Sequence, residues 1–179
     1  MSKVEGKGQA AILSNEQIDR VIELCRAPYC YAVAIAAYTG CRMAEAISLR
    51  AENLNLSEEL ITLTHTKTKR VRDIEMHPEL TDILKSAQLP QTGWLFPSIR
   101  RDGHISRQSV DKELREVCEA LEIKGVGTHS FRRSLATNLH GKGVPIKTIA
   151  SITGHESLNE LSRYLDVTPA QRKAAILQR

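Results

Sequence analysis

Aromatic residues are scarce in this chain, two Phe, one Trp and four Tyr in 179 positions, which leaves its core to Leu, Ile, Val and Ala. No apolar run approaches the ~20 residues of a membrane-spanning helix, and the N-terminus lacks the charged-then-apolar layout of a signal peptide. Those absences lead to the expectation of an intracellular, cytoplasmic protein with no membrane partner. Cysteine is sparse as well. Cys25, Cys30, Cys41 and Cys118 have no metal-type spacing and sit among apolar neighbours, so they read as reduced core thiols. Neither a disulfide nor a zinc or other metal site is expected. Internal repeats and low-complexity segments are missing too.

What the sequence does have is 41% apolar and 26% charged residues, a mixture that describes a globular protein with length enough for one domain and a substantial core. The formal net charge of +4 is compatible with nucleic acid without demanding it. Distribution says more than the total. Lys67, Lys69, Arg70 and Arg72 fall within six residues, Arg100, Arg101 and Arg107 occupy another short stretch, and Arg132 adjoins Arg133. Taken singly, each cluster is an ordinary solvated surface. Converging on one face, they would form a track for backbone phosphates, with affinity falling steeply as salt rises.

Residues 1–12 are polar, glycine-containing and aperiodic and read as a flexible lead-in, with order expected from about Leu13. Ser14 followed by Gln17 has the form of a capping box, and Ile18, Val21, Ile22 and Cys25 then recur at helical spacing. The run from about Cys30 to Tyr38 is apolar almost all round and stops at Gly40. It predicts a buried helix with a glycine stop, and it puts Arg42 at the start of the next short helix, beside the core. Met43, Ala46, Ile47 and Leu49 would face inward there. Between Glu59 and Met76 the pattern changes to alternation, with Ile61 and Leu63, then Ile74 and Met76, flanking a basic turn. That is the signature of a β-hairpin with Lys67 near its tip. Trp94, Leu95 and Phe96 read either as a short third strand or as an apolar plug under a loop. From Ser106, the residues Val110, Leu114, Val117, Cys118 and Leu121 mark a further amphipathic helix. Phe131, Leu135 and Leu139 mark another, stopped at Gly141, and Pro145 opens one that carries Ile146, Ile149, Ala150 and Ile152 to Gly154. Leu158, Leu161 and Tyr164 lie beyond, and a basic amphipathic tail follows Pro169.

Three segments carry chemistry: Thr39-Gly40-Cys41-Arg42-Met43-Ala44-Glu45, then His129-Ser130-Phe131-Arg132-Arg133, then Gly154-His155 with Tyr164 nine residues further on. Cleaving a phosphodiester without metal needs a nucleophile, cations to hold the charge that develops on the phosphoryl oxygens, and an acid for the departing 5′ oxygen. Arginine suits the second task, because its planar fork donates two hydrogen bonds to phosphate and stays charged at any working pH. Arg42 and Arg132 are the candidates. His129 and Arg132, three apart, share a helix face and can address one phosphate. Read one at a time, these residues have ordinary explanations: a surface arginine after a glycine, an exposed His–Arg pair, a loop histidine at 155, a core tyrosine between Leu161 and Leu165. The ordered set is what sets those explanations aside.

In its order and spacing the set resembles the tyrosine recombinases, the phage-integrase family, from about Leu13 to the C-terminus. The resemblance implies an α+β, mainly helical fold over residues 13–179, the family's catalytic domain, with a small antiparallel β-sheet. It implies a site-specific DNA recombinase or integrase that cleaves and rejoins DNA through a 3′-phosphotyrosine intermediate, with no cofactor, metal or ATP. Tyr164 is then the nucleophile, Arg42 and Arg132 hold the phosphate, His129 serves in proton transfer and hydrogen bonding, and His155 donates a further hydrogen bond. Lys67, in Thr66-Lys67-Thr68-Lys69-Arg70-Val71-Arg72, matches the family's hairpin lysine and would protonate the leaving oxygen. Lys69 competes with it, since hairpin lengths vary. Glu45, one helical turn from Arg42, either supports the site or forms an ordinary i,i+3 surface pair. Lys69, Arg70, Arg72 and Arg133 are expected to contact DNA. The implied partners are double-stranded DNA and further copies of the chain, a monomer when free and a tetramer on two duplexes, with the tail after Pro169 as a candidate docking segment.

Cys41, Ser130 and Thr153 occupy variable positions beside the motifs and remove no catalytic group. Family members usually carry an additional N-terminal helical domain that grips the opposite face of the DNA, and the residues before Leu13 are too few to encode it. The chain is therefore expected to be an isolated catalytic domain or a minimal recombinase. Two other functions compete. One is relaxation alone, as in type IB topoisomerases, which share the chemistry. The other is a non-catalytic regulator in which two short helices around Gly154, between Pro145 and Tyr164, mimic a helix-turn-helix; it leaves Arg42, Lys67 and the His129–Arg132 pair unexplained. The target site, and whether the reaction is integration, excision, inversion or dimer resolution, are not written in the sequence.

Overall fold

Residues 10–64, 70–100, 102–162, 165 and 169–177 are described by a computed structural model. Lys67, Lys69, Arg101 and Tyr164 lie outside the described residues.

Ser14 caps α1 (Asn15–Leu24) as its spacing from Gln17 requires. The Ser14 hydroxyl accepts from the Gln17 N–H at 3.2 Å, and the Gln17 side chain accepts in return from the Ser14 N–H at 3.0 Å. The next helix, α2 (Tyr29–Thr39), is buried almost throughout, with Ala32 to Ala37 at 5% exposure or less. It ends where Gly40 turns left-handed at φ 62°, a conformation open to glycine at little cost. A Cβ at that position would meet Thr153 Cγ2 at 2.8 Å and Leu135 Cδ2 at 2.9 Å. The end of α2 thus approaches two later helices closely because no side chain intervenes. Two residues on, α3 (Met43–Ile47) starts with Arg42 as its N-cap and buries Met43, Ala46 and Ile47.

The hairpin follows the alternation. β2 (Leu60–Thr64) pairs antiparallel with β3 (Val71–Glu75), Ile61 opposite Ile74 and Leu63 opposite Arg72. Ile61, Leu63 and Ile74 are buried, whereas Val71, Asp73 and Glu75 face out. On the outer face Thr62 Oγ1 donates to Asp73 Oδ1 at 2.7 Å. The third strand is β1 (Leu54–Asn55), on the other side of β2, and two residues are too short to show a period. The segment at Trp94 is the plug: Leu95 and Phe96 are buried, and Trp94 makes an isolated bridge to Arg50, whose guanidinium sits 5.2 Å from the indole centroid. Periodicity also fails to announce α4 (Pro78–Ser86), whose apolar stripe is only Leu80, Ile83 and Leu84.

The remaining helices are α5 (Arg107–Ala120), α6 (Thr128–Gly141), α7 (Ile146–Thr153), α8 (Leu158–Ser162) and α9 (Pro169–Ile176). Apolar faces of α1 to α5, the sheet and Phe131 of α6 make the main core, and a smaller cluster of Ala136, Ile149, Ala150 and Leu161 holds α6, α7 and α8 together. The cysteines are free thiols, Cys30 half-buried and the other three buried. Backbone bonding begins before Leu13: the Ala11 N–H donates to the Gly125 carbonyl at 2.9 Å. No composition pattern signals such a main-chain bond. No helix among the described residues is long and apolar enough to cross a membrane.

Candidate active site

Two left-handed glycines, Gly40 and Gly154, bring the C-terminal ends of α2 and α7 to one place. Helix C-termini leave carbonyls without intrahelical partners and carry partial negative charge. Arg132 of α6 answers both ends. Its Nη1 donates to the Gly40 carbonyl at 2.9 Å and, in a short bond, to the Thr153 carbonyl. The residue is 8% exposed, and its Nη2 has no partner among the described residues. Burial, with the Arg42 charge adding to it, pulls the guanidinium down to about 10. It remains a cation at neutral pH.

Glu45 occupies the centre. Its Oε2 accepts from the Arg42 N–H at 3.0 Å and from Arg72 Nη2 at 2.8 Å, while Oε1 lies 3.4 Å from Arg42 Nη1. The carboxylate is fully buried, so this is no exposed i,i+3 pair. Burial pushes its pKa up, and the bonds from Arg72 and Arg42 outweigh that, holding the carboxyl below the usual range. Two guanidiniums, those of Arg42 and Arg72, therefore contact one carboxylate, and the Arg132 charge lies near enough to be felt. Positive charge is in excess in a partly dry space, which is costly until an anion arrives.

Thr153 has a further role. Its hydroxyl, 2.7 Å from the Ile149 carbonyl, also lies 2.6 Å from His155 Nδ1; with its one proton turned to Nδ1, the neutral ring carries its own proton on Nε2 and can donate from there. Burial, then Arg132, Arg42 and Arg72, push the His155 imidazole down to about 3. His129 stands one turn before Arg132 on α6 and is exposed. Partial desolvation, then Arg107, Arg132 and Arg42, lower its pKa. Desolvation first, and the cations around them second, thus favour the neutral form of both rings.

Of the residues expected from sequence, Arg42, Glu45, Arg132 and His155 are brought together and His129 adjoins them. Lys67, Lys69 and Tyr164 fall outside the described residues. Arg70 is exposed and, with Arg72, Gly154 and His155, lines a cleft of about 210 Å³. Two residues expected to contact DNA make bonds within the protein. Arg72 shares the inward face of β3 with Ile74 and joins the site. Arg133, about 100° round the helix from Arg132, donates to the Ala10 carbonyl at 2.5 Å. Arg107 and Thr153 carry no sequence signal for this site; Arg107 reaches it because α5 begins near His129, and Thr153 because its helix ends there.

A profile of the phage integrase family matches residues 11–171. The tyrosine recombinase XerA of Pyrococcus furiosus is 30% identical over 143 residues, covering 77% of this chain and 50% of that protein. Among solved structures, the catalytic domain of bacteriophage HP1 integrase superposes with a TM-score of 0.67 at 25% identity, covering 94% of each chain. The Tn1549 transposon integrase, in complex with a circular intermediate DNA, gives a TM-score of 0.77 at 16% identity, covering 98% of this chain and 67% of that one. At that identity the likeness is one of fold. The chain spans about half the length of the curated relatives it matches.

Proposed function

The chain belongs to the phage integrase family, and from that premise we propose that residues 13–179 are the catalytic domain of a site-specific DNA recombinase, acting in the cytoplasm on double-stranded DNA. The observation that carries this reading is the excess of positive charge around the buried Glu45 carboxylate, with Arg132 Nη2 unpartnered among the described residues. A phosphodiester supplies the missing anion and acceptors together.

Tyr164 attacks the phosphorus. The phenolic oxygen–phosphorus bond forms as the bond from phosphorus to the 5′ oxygen breaks, leaving a 3′-phosphotyrosine and a free 5′ hydroxyl. The phenolic proton passes to a base, for which His129 is suited because its surroundings keep it neutral. Lys67, or Lys69 in the alternative register, protonates the leaving oxygen. Arg42 and Arg132 hold the charge that builds on the phosphoryl oxygens, and such preorganised donors typically supply several kcal/mol of transition-state stabilisation, on the order of 3 kcal/mol for one donor. His155 adds a hydrogen bond. The covalent bond keeps the energy of the broken linkage, so another 5′ hydroxyl reseals it without ATP, metal or cofactor.

On DNA the protein works as a homo-oligomer, four copies on two duplexes, and it is a monomer when free. The tail supports this: Ile176 and Leu177 are exposed beside the basic Arg172 and Lys173 in sequence. A non-catalytic regulator would have no use for the cations around Glu45. Transfer of a labelled strand from one duplex to a second tests the reading. Joining to the second duplex is expected; relaxation of supercoils without transfer would replace it with a topoisomerase, and binding without breakage would leave the regulator.

A further inference from the structure

Arg72 is a charged residue on the core side of a strand. Its neighbours Val71 and Asp73 face out, and the alternation turns Arg72 in with Ile74. There its Nη2 donates to Glu45 Oε2 at 2.8 Å and lies 3.5 Å from the Thr153 carbonyl, the same carbonyl that Arg132 uses. The guanidinium also lies against Gly154, where an added Cβ would sit 2.7 Å from Cζ. The side chain is 17% exposed and its partner carboxylate 0%. An arginine held this way contacts three residues of the site and presents little surface to a duplex.

We infer that Arg72 is a positioning residue for the cleavage site, holding Glu45 and, through it, Arg42; the inference rests on the reading of Arg42 as a phosphate-holding cation. The reason lies in how Glu45 divides its bonds. One oxygen serves Arg72 and the Arg42 main chain, and the other stands 3.4 Å from Arg42 Nη1, a long contact for a buried ion pair. While Arg72 satisfies the carboxylate, the Arg42 fork stays available to a ligand. Without Arg72, a buried carboxylate has one cation left within reach. It closes on Arg42 as a tight bidentate pair and turns that fork away from the phosphate.

The full chain is compared with Arg72→Met, Arg72→Lys and Glu45→Gln, using the duplex that wild type captures covalently. Arg72→Met is expected to bind that duplex within about twofold of wild type, with an unchanged salt slope. Its single-turnover rate of covalent attachment at saturating protein should fall on the order of 100-fold, with Arg72→Lys recovering part of the loss. Full-rate cleavage by Arg72→Met at saturation, with weaker binding and a salt slope reduced by about one phosphate, would overturn the inference. A second measurement needs no DNA: denaturant unfolding of the two single variants Arg72→Met and Glu45→Gln and of the double variant. Non-additive losses are expected of residues that act as one unit, and additive losses would contradict the coupling. Absence of covalent attachment by wild type would count against the recombinase reading instead, and the unfolding cycle would still decide the role of Arg72.

Discussion

Gly154 packs so closely on Arg72 that a methyl group at position 154 and the present guanidinium cannot coexist; the nearest approach would be 2.7 Å. Gly154 also holds φ 72°. Gly154→Ala therefore acts twice. The left-handed backbone costs about 1–2 kcal/mol with a side chain present, which lowers the thermal midpoint by roughly 2–8 °C in a domain of this size. The guanidinium sits at the end of a flexible side chain and moves aside, which takes it off Glu45. Covalent cleavage by the folded variant is expected to fall about tenfold or more. A variant that loses midpoint but cleaves at the wild-type rate would show that the contact is idle.

Arg132→Lys keeps a charge and loses the fork. A lysine amine can answer the carbonyls of Gly40 and Thr153, but it cannot also reproduce the planar array of donors that Arg132 brings to the site. The single-turnover cleavage rate should drop by roughly 10²–10³-fold, the usual loss for one transition-state donor. Affinity for DNA should change little, since one phosphate contact among many is touched. A rate within a few-fold of wild type would remove Arg132 from the reacting phosphate.

Stability should decline on mild acidification, and His155 gives one cause. Its folded pKa is pushed down to about 3 from 6.5, so between those values the unfolded chain binds a proton that the folded chain refuses. The contribution is complete above pH 6.5 and is lost progressively as pH falls toward 3. Glu45 acts with the same sign lower down: its lowered pKa gives stability that is present above 4.5 and lost as pH falls through the folded value. Denaturant unfolding between pH 7.5 and about 5 separates the histidines from Glu45, and substitution of His155 separates it from His129. His155→Gln is expected to show a shallower decline than wild type, and an equal decline would mean that the ring is not held neutral.

Much of this arrangement is legible in the sequence. Gly40 after an apolar helix and Gly154 after another announce two helix ends, Arg42 and His155 follow them within two residues, and Arg132 is marked by its spacing from His129. The capping box of α1 and the hairpin alternation are equally plain. Arg72 was readable and easily misread: counting back by two from Ile74 places it inward, but its membership of a basic run suggests a surface. Arg133 is the same case on a helix, where adjacency in sequence means divergence in space. Thr153 is legible only in three dimensions, since its carbonyl and hydroxyl matter through where α7 stops. The short elements β1 and α4 carry too few apolar residues to set a period.

Truncation of the tail tests assembly separately from chemistry. Deleting residues 170–179 should reduce cooperative binding to DNA, measured as the steepness of a binding isotherm, and should leave single-site cleavage within a few-fold of wild type. Unchanged steepness would remove the tail from assembly.

The central claim is a covalent bond between Tyr164 and DNA formed without metal. Wild type and Tyr164→Phe are incubated with fragmented source DNA in EDTA and denatured, and the DNA that stays attached is sequenced while the modified peptide is mapped by mass spectrometry. Wild type is expected to retain DNA ending at a shared site, with a 3′ nucleotide on the peptide that contains Tyr164, and Tyr164→Phe to bind DNA but retain none after denaturation. Attachment that survives in Tyr164→Phe, or that maps to another residue, would contradict the account.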